Sequence, residues 1–183
     1  MLSNVELASG DIIVRDISIN DCNQTYLDWL KNTNINQFLE TRWIEQDIDT
    51  IKNFVKDQIE SNCSYLFAIT IKNGEDYRHI GNIKIGPINQ HHHYSEISYF
   101  IGDENYHGKG IASKAISLIS SFAFNKLGVH RIQASFYEEN VASRRALEKA
   151  GYVYEGILHE RCISPITKKY TNVIVYYKLS NML

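Results

Sequence analysis

Cysteine and proline are scarce in this chain, with three cysteines and two prolines among 183 residues. The thiols of Cys22, Cys63 and Cys162 are odd in number and widely spaced, which builds neither a disulfide framework nor a zinc site. So little proline argues against a linker-rich or disordered design. No apolar run approaches the roughly eighteen residues that a membrane helix needs. An excess of charge is missing too: 19 basic residues face 21 acidic ones, for a formal net charge of −2. That balance offers no global attraction to nucleic acid or to an anionic membrane. The stretch from Met1 to Asp11 lacks the basic-then-apolar order of a signal peptide. What is present is ordinary: 44% apolar and 22% charged residues, the composition of a soluble globular protein. With no internal repeat or low-complexity tract to divide it, the chain reads as one domain over residues 1–183, expected in the cytoplasm.

Periodicity orders the elements. Asp11 to Ile17 alternates as a strand. Two helices follow, about Asn20 to Lys31 and Glu45 to Glu60, the second with Ile48, Ile51, Val55 and Ile59 on one face. Three strands come next: Tyr65 to Lys72, His79 to Ile85 and Tyr94 to Ile101, each closed by a turn signal. Ile111, Ala115, Leu118, Ile119 and Phe122 then mark a long helix. His130 to Tyr137 is a strand, Val141 to Ala150 a helix, and Tyr152 to Leu158 and Tyr170 to Leu179 are the last strands. This order predicts an α/β fold, a mixed and mostly antiparallel sheet of about seven strands flanked by about four helices. The strands on either side of the long middle helix are expected to run parallel.

The chemistry concentrates where the strand ending at Ile101 runs into Tyr106-His107-Gly108-Lys109-Gly110-Ile111-Ala112 and a helix begins. Glycines at such a turn let backbone approach a ligand, and the helix N-terminus presents unpaired N–H groups. That combination suits a phosphate or pyrophosphate. A Walker A loop is excluded, because His107 falls where that motif needs glycine and Gly110 follows the lysine in place of Ser or Thr. A dinucleotide fingerprint is excluded as well, since Ser113 occupies its last glycine position. A second segment, Asn140 to Tyr152, reads NVASRRALEKAGY. Asn140 is placed to cap its helix, Ser143 lies on the same face, and Arg144, Arg145 and Lys149 make one side basic.

Together the two segments resemble the GNAT acetyltransferase superfamily, in the branch of ribosomal-protein N-terminal acetyltransferases. The first, His107-Gly108-Lys109-Gly110-Ile111-Ala112, is similar to its Arg/Gln-x-x-Gly-x-Gly/Ala motif. The second matches Asn-x-x-Ser/Ala followed by Glu-Lys-x-Gly-Phe/Tyr through Asn140, Ser143, Glu148, Lys149, Gly151 and Tyr152. The resemblance implies acetyl-CoA as acetyl donor, lying where two parallel strands splay apart, here Tyr94 to Ile101 and His130 to Tyr137. Pantetheine would pair with backbone near Tyr99, Phe100 and Ile101. Pyrophosphate would sit on the N–H groups of His107, Gly108, Lys109, Gly110, Ile111 and Ala112. Asn140, Ser143 and Arg145 would complete the donor site. Two departures stand out: His107 replaces Arg or Gln, and Leu147 occupies the position where relatives carry a tyrosine general acid.

Amine acetylation by direct attack in a ternary complex needs a base, a polarised carbonyl and a proton for the departing thiolate. Glu96, on the strand face of Ser98 and Phe100, is the candidate base. Ser143 is the candidate acid or thiolate hydrogen-bond donor. The cysteines are expected to be bystanders. His91-His92-His93 is expected to be a solvated loop, because adjacent strand residues point to opposite faces and no further ligand is near; no metal is expected. On the acceptor side, Arg42 and Trp43 are candidate substrate contacts, and Glu40 in the same segment could meet an amine. The acceptor is expected to be a primary amine, from a protein N-terminus, an amino-sugar nucleotide, a polyamine or another small amine. A non-catalytic acyl-CoA sensor is the alternative, and a groove closed on the acceptor side would mark it. The resemblance also implies a homodimer through the C-terminal strands.

Overall fold

A computed structural model describes residues 4–74 and 76–180. Eight strands form its sheet: β1 Glu6–Ser9, β2 Ile12–Asp16, β3 Tyr65–Asn73, β4 Asp76–Ile85, β5 Tyr94–Ile101, β6 Arg131–Tyr137, β7 Val153–Ile163 and β8 Tyr170–Leu179. Their order is β1-β2-β3-β4-β5-β6-β8-β7. Every neighbouring pair is antiparallel except β5 and β6. The helices are α1 Gln24–Lys31, α2 Thr33–Asn36, α3 Ile48–Glu60, α4 Ile111–Lys126 and α5 Val141–Lys149. No described helix is long and apolar enough to cross a membrane.

The sheet divides two cores, following the two-residue alternation of its strands. On one face α4 and α5 pack Ile111, Ala115, Ile116, Ile119 and Leu147 against Val14, Phe67, Ile69, Ile83 and Ile97. On the other, α1 and α3 pack Tyr26, Leu27, Trp29, Leu30, Ile51 and Val55 against Ile17, Leu66 and Ala68. Each fully buried side chain of this size contributes about 1.5–3 kcal/mol relative to exposure. Side-chain caps start α1, α3 and α5: Asn23 accepts from the Tyr26 amide, Asp47 from Thr50, and Asn140 from Ser143.

The sequence-based expectation departs most from the structure at three elements, while α1 and α3 start a few residues later and β4 a few residues earlier than expected. Strand β1 precedes the first expected strand and pairs with β2; it is a four-residue edge strand with only half-buried Leu7 and Ser9 facing inward, too short to show alternation. Helix α2 is a single turn, below the length at which a 3.6-residue period can be read. Strand β7 runs on to Ile163, because bulges after Tyr154 and Leu158 re-register it on β8. Most of its side chains are exposed, so no apolar rhythm marked its length.

The site is positioned by what the parallel pair leaves undone. β5 and β6 pair only at Tyr94–Arg131, Ser95–Ile132 and Glu96–Gln133. Beyond Glu96 the first strand stays on β4 and the second stays on β8. A gap opens between them toward the N-terminus of α4.

Candidate active site

The pairing phase of β5 decides which backbone groups face this gap. The Gly86 N–H donates to the Glu96 carbonyl (2.9 Å), and Ser98 and Phe100 lie opposite Lys84 and Asn82. Residues 96, 98 and 100 therefore direct their polar groups to β4, whereas those of Ile97, Tyr99 and Ile101 point into the gap. Tyr99 presents its backbone to the gap, whereas the Ile101 carbonyl is engaged by His107. Phe100 departs from the expectation: its backbone faces Asn82, and its ring packs with Tyr26 and Trp29 instead.

At the far end of the gap the chain turns through Gly108 (φ 73°) and Gly110 (φ 74°) into α4. Both glycines occupy the left-handed region, where a side chain is strained. α4 has no acidic residue in its first turn, and its first N–H groups have no intrahelical acceptor. His107 sits differently from the expectation. Its N–H closes a turn on the Glu104 carbonyl (3.1 Å), and its Nε2 lies 2.8 Å from the Ile101 carbonyl. A carbonyl only accepts, so Nε2 carries the proton. The backbone cradle thus begins at Gly108, with His107 acting as a brace on the end of β5. Lys109 turns its ammonium toward the Tyr106 ring, at 5.2 Å.

α5 lies across the gap. The Asn140 carbonyl oxygen accepts from the Ser143 N–H (3.1 Å), which leaves its NH2 group as donor toward a ligand. Ser143 Oγ is 2.8 Å from the Tyr99 hydroxyl, which also reaches the Ser143 carbonyl at 3.3 Å. Burial pushes the Tyr99 phenol up to about 12, so it stays a proton donor at neutral pH. The Tyr99 hydroxyl was not part of the sequence reading. Its signal was the inward phase of Ile97, Tyr99 and Ile101, which aims this ring at the helix carrying Ser143. Leu147 is fully buried in the α4–α5 core, so the position used for an acid elsewhere is apolar packing here.

Glu96 lies on the other face of the sheet, exposed, with Gln133 Nε2 at 3.4 Å from its carboxylate. One groove of about 1500 Å³ joins these parts; it passes Glu96, Tyr99, Gly108, Gly110, Ser143 and Arg145 and continues to Phe38 and Glu40. Arg42 and Trp43 do not line it. Trp43 is 64% exposed on the outside. Arg42 is tucked beneath, donating to the Tyr137 hydroxyl (2.6 Å) and the Leu39 carbonyl (3.1 Å).

These parts fit a nucleotide thioester: backbone groups along one strand edge, two left-handed glycines ahead of a helix N-terminus, and a capping asparagine beside them. A gap of this kind, at the only parallel pair of the described sheet, defines the class. Residues 11–153 match the acetyltransferase (GNAT) domain, and the chain belongs to the GNAT acetyltransferases. Members of this family are acyltransferases that take acetyl-CoA as donor. The chain is similar to the probable N-acetyltransferase YjcK of Bacillus subtilis, 46% identical over 61 residues, 33% of each chain. It is 38% identical over 94 residues to the uncharacterized N-acetyltransferase YoaA of the same organism, covering 51% of this chain and 52% of that one. These matched stretches thus span about a third and about half of the two relatives. Among solved structures, the spermidine N-acetyltransferase from Vibrio cholerae in complex with CoA and spermine aligns with a TM-score of 0.79 at 24% identity, covering 93% and 96% of the two chains. The ribosomal-protein-S5-alanine acetyltransferase from Vibrio fischeri aligns with a TM-score of 0.81 at 20% identity, covering 98% of each. At such identities the likeness is one of fold.

Proposed function

We propose that this chain is an acetyl-CoA-dependent N-acetyltransferase that acetylates a primary amine by direct attack. The observation that carries this reading is the early end of the β5–β6 pairing at Glu96–Gln133. It frees one edge of β5 and leads straight to the glycine turn of α4. Bound there, acetyl-CoA supplies the thioester that the amine attacks. Ile97, Tyr99 and the Ile101 N–H hold its pantetheine arm, Gly108 to Ala112 hold its pyrophosphate, and Asn140 and Arg145 flank them.

The two catalytic candidates lie on opposite faces of β5, since residue parity separates Glu96 from Tyr99 and its partner Ser143. That division suits the reaction. An amine entering from the α1–α3 face meets Glu96, or a water held by it, and loses a proton there. Ser143 shares a hydrogen bond with the Tyr99 phenol, and when the phenol is the donor the serine hydroxyl proton is free for the thiolate on the α4–α5 face. The groove continues openly past Glu96 to Glu40, and this open acceptor side supports turnover over a sensor role.

Thiol release from acetyl-CoA against a panel of amines and short peptides tests the proposal. Wild-type protein is expected to release CoA with at least one acceptor. Glu96→Gln is expected to lower turnover by about 10²–10⁴, the usual weight of a general base. Tight acetyl-CoA binding without release for any acceptor would refute the reading.

A further inference from the structure

The far end of the groove holds a carboxylate whose orientation is fixed by a residue nearly a hundred positions away in sequence. The Tyr137 hydroxyl donates to Glu40 Oε1 at 2.5 Å. Arg42 donates to the same phenol oxygen at 2.6 Å and is anchored by the Leu39 carbonyl. Its guanidinium is stacked between the Trp43 ring (4.4 Å) and the Tyr137 ring (5.0 Å).

The donor inventory removes any ambiguity of roles. Arginine has no acceptor, so Tyr137 must accept from it, and the single phenolic proton is then committed to Glu40. That bond uses Glu40 Oε1 and leaves Oε2 for the groove. The Arg42 side chain is 10% exposed, whereas that of Glu40 is 72% exposed, and their closest approach is 3.9 Å. A solvated carboxylate needs no such partner. A buried guanidinium is costly to hold and here has no tight ion pair to offset it. The arrangement therefore serves orientation more than stability.

Resting on the acetyl-transfer reading, we infer that Glu40 is a specificity-determining docking group for acceptors that carry a second cationic group. Tyr137 and Arg42 are its positioning residues. The geometry also sets a scale. Gln133, which meets Glu96, and Tyr137, which meets Glu40, lie on one face of β6 four residues apart, a rise of about 13 Å in an extended strand. A reacting amine on the Glu96 side and a cation at Glu40 are therefore separated by a distance on the order of 10 Å. A long diamine and a peptide N-terminus followed by lysine both present that chemistry.

The test compares acceptors differing only in the distal charge: a linear diamine against the monoamine of equal length, and a Lys-containing peptide against its norleucine counterpart. Wild-type kcat/KM is expected to favour the dication at least tenfold in one pair, through KM, with the preference shrinking in high salt. Glu40→Gln should bring that ratio close to one, and Glu40→Asp should restore part of it. Tyr137→Phe keeps the Arg42 stack and should raise KM for the dication while leaving kcat. Equilibrium binding of each acceptor to the CoA complex supplies a readout without turnover. Glu40-dependent dication binding with no acetylation would sink the acetyl-transfer reading and leave this one standing. Equal binding of both members of each pair, or a ratio unmoved by Glu40→Gln, would overturn this inference.

Discussion

Replacing Ser143 by alanine isolates one hydroxyl from an otherwise intact constellation. The cap on α5 uses the Ser143 N–H, which the substitution keeps. Tyr99 retains the Ser143 carbonyl at 3.3 Å as an acceptor, so its buried phenol is not orphaned. Alanine is also the better helix former. Fold and donor affinity should therefore hold, and the loss should fall on the departing thiolate. A hydrogen bond to a charged group is worth about 1.5–3 kcal/mol, which corresponds to roughly 10- to 150-fold in rate. The assay is steady-state CoA release at saturating amine, with acetyl-CoA affinity measured by calorimetry. An acetyl donor with a more acidic thiol should shrink the defect, because its leaving group needs less help. In a cycle with Tyr99→Phe, the double variant should lose less than the product of the single losses, as expected of two groups in one relay. A kcat within twofold of wild type would refute the assignment, as would an affinity loss as large as the rate loss.

Gly110→Ala meets no steric obstacle, the nearest atom to the new Cβ being Ser113 Oγ at 3.8 Å; the cost is the positive φ, about 1–2 kcal/mol, and calorimetry should show weaker CoA binding, with Gly110→Asn milder. Gly102→Ala would put a Cβ 2.1 Å from the Trp29 ring, which is already packed against Tyr26, His79 and Phe100. Overpacking of this kind costs about 1–3 kcal/mol, and thermal unfolding should show a lower midpoint. Burial holds the His79 imidazole below its ordinary value, despite the Asn82 and Asp21 partners. The folded state therefore resists a proton that the unfolded chain accepts. The His79 term should lower stability as pH falls below about 6.5, and His79→Gln should flatten that slope in denaturant titrations; an unchanged slope would rule His79 out.

How much of this was legible beforehand depended on whether a residue's role is written in its neighbours. Strand β5 was read to its ends, because its alternation is bounded by Gly102. The glycine turn and the Asn140 cap were also readable, since each acts through local backbone. The Tyr99–Ser143 contact crosses 44 positions and the Glu40–Tyr137 contact 97, so no local period could announce either. Arg42 and Trp43 drew attention as the conspicuous charged and aromatic side chains of their segment. The fold turns Arg42 inward as a brace and leaves Glu40, the shorter residue beside it, facing the groove. His107 was read as part of the phosphate cradle by its place in the motif. Its N–H is consumed one turn earlier, a detail that depends on the Glu104–Tyr106 turn and not on the motif.

The three-residue seam between β5 and β6 has a consequence for the mechanics of the molecule. The sheet is in effect two plates, β1 to β5 and β6 to β8, joined along three rungs, with α4 packed on the first. A pantetheine arm lying along the open edge of β5 would act as a short missing strand, lengthening the seam that joins the plates. The donor would then be part of the scaffold as well as a reactant. Each turnover would exchange one stapled form of the sheet for another, with the least constrained form present only while the groove is empty.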